Sequence, residues 1–97
     1  MEGQWEHGRR AMQDSLDLTN IGETERALSV LDNAVAQATE ENRRMWVAIL
    51  CRHAAVLAHG MGDLRREIHY TEQTLPHAKD YRFALDRTFS LRYNPHP

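Results

Sequence analysis

Six histidines and one cysteine, Cys51, are the side chains best suited to bind a metal or act as a nucleophile. A metal site on a helix needs two imidazoles at i and i+4, on one face, or a compact Cys/His cluster. The sequence holds neither. His53 and His59 are six positions apart, on different faces of one helix, and His69 and His77 are eight apart, two turns being too far for one ion. Ordinary surface or half-buried histidines account for all of them. Cys51 lies in the most apolar stretch, MWVAILCRHAAVLA. A nucleophile needs a neighbouring base and an open cleft, and nothing marks either, so Cys51 reads as a small buried hydrophobe. No Gly-rich phosphate loop, nucleophile elbow or paired-carboxylate motif occurs. The expectation is a protein that is not an enzyme, with no catalytic residue, no metal and no cofactor.

The charges narrow the partners. Twelve basic side chains face fourteen acidic ones, for a formal charge of −2. That balance argues against a broad basic face for nucleic acid. The arginine doublets Arg9-Arg10, Arg43-Arg44 and Arg65-Arg66 are spread among acids and read as solvated helix faces. No apolar run approaches the roughly 18 residues that span a bilayer, and MEGQWEHGRR has no signal-peptide pattern. A lone cysteine forms no internal disulfide, and these features together predict a cytoplasmic protein. Apolar residues are 41% and charged residues 27% of 97, the balance of one small domain over 1–97.

Helices must position these residues, because no sustained apolar/polar alternation marks a strand. Proline occurs only at Pro76, Pro95 and Pro97, so nothing before Pro76 forbids a helix. A first helix is expected over 4–19, with Trp5, Met12, Leu16 and Thr19 along one face. Asn20-Ile21-Gly22 ends it, and a second helix runs from just after Gly22 to about Thr39, with Glu23 and Glu25 at its positive end. Its apolar stripe is Ala27, Leu28, Leu31, Ala34, Val35 and Ala38. A third helix, from about Glu41 to His59, is apolar nearly all round. It must be covered on more than one side, in the middle of the structure. Gly60-Met61-Gly62 closes it, and Asp63 caps a fourth helix with the stripe Leu64, Ile68, Thr71 and Leu75. The fourth helix either ends near Thr74 or continues, kinked at Pro76, to about Lys79. Leu75 and Ala78 keep the helical spacing and favour continuation. A fifth helix is expected from about Asp80 to Tyr93, before a frayed tail over 94–97.

The two helix-turn-helix joints are alike. NIGETERALSVLDNAVAQA and GMGDLRREIHYTEQTLPHA each place a glycine before an acidic residue and an amphipathic helix, and Gly22 and Gly62 stand 40 residues apart. One hairpin cannot bury its own apolar stripe, so such units stack in series. The run GETERALSVLDNAVAQA resembles the second half of a tetratricopeptide repeat. Gly22 stands at that family's turn glycine, Ala27 and Ala34 at its small packing positions, with Leu28 and Val35 beside them. In the second unit Ala55, Gly62, Ile68 and Leu75 fit, whereas Glu67 and Thr74 stand where the family has alanines. Phe89-Ser90 and Tyr93 resemble the start of a third unit, and EQTLPHAKD is similar to a phrase of longer-period members. The units fall at about 4–40, 41–79 and, partially, 80–93. A 40-residue period exceeds the family's usual 34. It implies longer helices or a longer joint near Thr39 to Arg44.

The resemblance implies an all-α fold of stacked antiparallel hairpins, about five helices, that holds a partner polypeptide as an adaptor or scaffold. Arg52 and Arg87 would project from the leading helices to the concave side, where a planar donor fork suits carboxylates. Met12, Val56 and His59 would share that side. Phe83, Phe89 and Tyr93 have no following helix to cover them. Either they fold back on the fourth helix or they meet another chain, and a homodimer through this end is expected. The competing functions are a metal-binding helical bundle or small enzyme, and a transcription-related regulator touching nucleic acid.

Overall fold

The computed structural model describes residues 4–74. Four helices follow one another: α1 (Glu6–Asn20), α2 (Thr24–Glu40), α3 (Arg44–Gly60) and α4 (Leu64–Thr74). Among the described residues there is no strand. α1 packs chiefly on α2 and α3 on α4, while α2 against α3 joins the two hairpins. The expected fifth helix, the helix end at Pro76 and the tail lie outside the described residues.

One device makes all three joints. Gly22, Asn42 and Gly62 stand 20 residues apart and adopt φ of +83°, +58° and +75°. Around each, the next amide reaches back to the carbonyl five residues earlier. Glu23 N–H donates to Leu18, Arg43 N–H to Ala38 and Asp63 N–H to Ala58, at 2.8, 2.8 and 2.9 Å. The left-handed residue itself donates three residues back, to Thr19, Thr39 and His59. This Schellman pattern satisfies carbonyls that a helix end leaves orphaned. The joint near Thr39 to Arg44 is therefore as short as the others, and the long period comes from helices of 15 and 17 residues. The third helix starts at Arg44, not at about Glu41, because Asn42 occupies the left-handed region that no right-handed helix admits. Asp63 caps α4 as expected, its Oδ1 accepting from Arg66 N–H at 3.1 Å.

The core runs between the helices. α2 buries the six residues of its expected stripe, Ala27, Leu28, Leu31, Ala34, Val35 and Ala38. α3 buries seven residues around most of its circumference, from Trp46 to Ala58, as expected of a middle helix. Removing Leu28, Leu31 or Leu50 from water contributes about 1.5–3 kcal/mol each.

Two expected stripes are corrected. On α1 the inward face is Trp5, Gly8, Ala11 and Ser15, with Met12 half-buried against the core and Leu16 43% exposed. Small residues win there because α1 lies against two indole rings. A Cβ on Gly8 would stand 2.5 Å from Trp5 Cε3 and 2.7 Å from Trp46 Cε3. The rings meet edge to face with centroids 5.8 Å apart. On α4 the inward residue is Tyr70, while Leu64 is 65% and Ile68 48% exposed, and Thr71 is exposed. Leu75 lies outside the described residues. Only one side of α4 meets α3, so its other apolar side has no described neighbour.

Candidate functional site

α1 and α3 lead the two hairpins and touch at their N-terminal ends through Trp5, Gly8 and Trp46. Beside that seam, each helix presents residues at steps of three and four. They are Arg9, Met12, Leu16 and Thr19 on α1, and Ile49, Arg52, Val56 and His59 on α3. Each α3 residue stands 40 positions after its α1 counterpart. Val56 is 58% exposed on a helix otherwise packed nearly all round. Met12, Thr19, Ile49 and Arg52 are half-buried, while Arg9 and His59 are exposed. The eight residues include two arginines, a histidine and four large apolar side chains, without a carboxylate. His59 Nδ1 lies 3.2 Å from Glu67 Oε1 of α4, which borders the face.

Of the expected partner-binding residues, Met12, Arg52, Val56 and His59 thus lie on the leading helices α1 and α3. Arg87 lies outside the described residues, as do Phe83, Phe89 and Tyr93 of the expected dimer surface.

On the α2–α4 side an open cleft of about 500 Å³ is lined by Asp32, Glu40, His69, Tyr70 and Gln73 among others. The Tyr70 hydroxyl donates to Asp32 Oδ1 at 2.7 Å. Burial, and then the Asp32 carboxylate, push the Tyr70 phenol well above its ordinary range, so it holds its proton near neutrality. Cys51 is fully buried and burial raises its thiol to about 11, which leaves almost no thiolate to act as a nucleophile. Burial likewise lowers His53, whose Nε2 is enclosed without a hydrogen-bond partner. Among the described residues no group of three or more His, Cys, Asp or Glu is placed to hold a metal ion. No helix there is long and apolar enough to cross a membrane.

Two arginines read from sequence as solvated are held at the surface by specific partners. Arg66 joins the hairpins, donating to both carboxylate oxygens of Glu25 at 3.0 and 2.8 Å and to Asp63 Oδ2 at 2.7 Å. Those bonds hold Glu25 and Asp63 below the usual carboxylate range. Arg43 lies 4.9 Å over the Trp5 ring and bonds Glu41 Oε1 at 2.7 Å. The signal for Arg66 was its place: it stands in the first turn of α4, as Glu25 stands in the first turn of α2.

The class these residues define is all-α, two helical hairpins in series. Comparison with protein-family models, with curated proteins and with solved structures finds no match to this chain.

Proposed function

We propose that the chain is a protein-interaction module that holds an acidic, amphipathic segment of a partner polypeptide across the face of α1 and α3. The observation that carries this is the pair Leu16 and Val56. Large apolar side chains stand 43% and 58% exposed at equivalent positions of two successive units, with Arg9 and Arg52 on the same stripes. Apolar side chains supply burial and the arginines select carboxylates through paired donors. The resemblance to tetratricopeptide repeats supports the same reading. A cytoplasmic setting belongs to the same reading, since the single cysteine leaves the fold with no disulfide to form.

The test is selection of binders from a random displayed peptide library, with the selected peptide then titrated into isotope-labelled protein. Acidic peptides with apolar residues are expected, shifting resonances of Met12, Leu16, Arg52, Val56 and His59. Val56→Asp and Arg52→Glu should weaken them at least about tenfold, a loss of roughly 1.4 kcal/mol. Peptides that map to another surface, or that bind both variants as well as the wild type, would refute the assignment.

A further inference from the structure

We infer that the groove between α2 and α4 is a second docking surface, which takes a basic segment of a partner polypeptide. The segment carries two cationic side chains about 12 Å apart with an apolar one between them. Asp32, Val35, Ala36 and Glu40 line the groove from α2, and Tyr70 lines it from α4. Those α2 residues stand at i, i+3, i+4 and i+8, along one face of the helix. Eight residues of helix set Asp32 and Glu40 about 12 Å apart. Side chains brace the two walls. Arg66 of α4 donates to both carboxylate oxygens of Glu25 on α2, and the Tyr70 hydroxyl donates to Asp32. The cleft is therefore formed before anything binds, and its volume of about 500 Å³ lies within the ordinary range of binding sites.

Charge selects the occupant. The Tyr70 hydroxyl keeps its proton as it donates, so Asp32 keeps its full negative charge. Glu40 is exposed. Among the described residues, the ion pairs close on Glu6, Glu41, Glu67, Glu25 and Asp63, and none closes on Asp32 or Glu40. Between the two carboxylates lie Val35 and Ala36, an apolar strip. Arginine meets such carboxylates with paired donors. In an extended chain, alternate side chains share a face at about 3.3 Å per residue, so positions one, three and five span about 13 Å. Arginine, leucine and arginine at those positions match Asp32, the strip and Glu40. The face of α1 and α3 carries the opposite charge and shares no residue with this groove, so the two readings stand or fall separately.

Titration of the end-blocked peptide Arg-Ser-Leu-Ser-Arg into the isotope-labelled full chain tests this. Amide shifts are expected at Asp32, Val35, Ala36 and Glu40, with weaker binding at high salt. Glu40→Gln, at an exposed position, should weaken binding about threefold. Asp32→Asn should do the same, because the amide oxygen can still accept from Tyr70. Ala36→Arg, also at an exposed position, should abolish binding. Serine in place of the peptide's leucine should cost at least about threefold. Arg52→Glu, on the other face, should change nothing. Shifts confined to another surface, no shift at millimolar peptide, or equal binding by wild type, Glu40→Gln and Ala36→Arg would each overturn the inference.

Discussion

The Tyr70 hydroxyl donates to Asp32 Oδ1 across 2.7 Å, bridging 38 residues of chain and tying α4 to α2 past α3. A hydrogen bond from a buried phenol to a carboxylate contributes about 1.5–3 kcal/mol. Tyr70→Phe should cost near the lower end of that range, because the exposed Asp32 regains water. Urea unfolding of the variant measures it. A raised phenol also means that the stability it contributes is complete below the ordinary value of about 10 and falls at higher pH. Wild type should therefore lose stability above that pH more steeply than Tyr70→Phe.

Among the described glycines, Gly8 is the one with no room for a Cβ. Alanine is ordinarily the better helix residue by about 1 kcal/mol. At Gly8 its methyl would meet Trp5 and Trp46 below 3 Å. Gly8→Ala should destabilise by about 1–3 kcal/mol, with a change in tryptophan fluorescence. Gly60→Ala, at a helical position with nothing nearby, should be neutral or stabilising. Equal effects from the two would contradict the packing of α1.

Asn42 supplies the left-handed residue that glycine supplies at the other two joints. Asn42→Gly should leave thermal stability unchanged or raise it, and Asn42→Ala should lower it by about 1 kcal/mol. Calorimetry of the two variants distinguishes them, and the reverse order would argue against a common joint.

Arg66 makes the hairpin-to-hairpin link pH-sensitive. Glu25 and Asp63 are held below the usual carboxylate value, so their contribution is present above about pH 4 and is lost as pH falls through the lowered values. Arg66→Gln should flatten the acid limb of the stability curve, with a smaller difference at high salt because the groups are exposed. Identical acid limbs for variant and wild type would exclude the link.

Cys51 should resist thiol reagents. With its thiol raised to about 11 and fully buried, modification at pH 8 should wait on unfolding. Rates in native buffer and in denaturant are expected to differ by at least about a hundredfold. Fast labelling in native buffer would place Cys51 outside the core.

Helix order, the core of α2 and the central place of α3 were legible because they follow from local rules. Six apolar residues at helical spacing leave α2 one possible inward face. Apolar residues around most of α3 require neighbours on more than one side, leaving only a narrow exposed strip at Val56 and His59. The stripes of α1 and α4 differ from expectation for separate reasons, and on α1 bulk does not mark the interior. Leu16 is larger than Gly8 or Ala11, yet α1 lies so near Trp46 that only small residues fit the seam. Tyr70 turned inward over Ile68 because α3 and Asp32 stand on its side of α4. For the candidate face, the resemblance to tetratricopeptide repeats implied Met12, Arg52, Val56 and His59, while Leu16, Arg9 and Ile49 join them through the 40-residue equivalence and their exposure in the fold.

The sequence by itself determined the all-α class, the glycine joints and the 40-residue recurrence, since backbone stereochemistry and hydrophobic periodicity act over a few residues. The tertiary structure decided which side of α1 and α4 faces inward, and that Arg66 closes on Glu25 while Tyr70 reaches Asp32. Those outcomes depend on how near two helices approach, and that distance is set by side chains some 40 residues away in the chain.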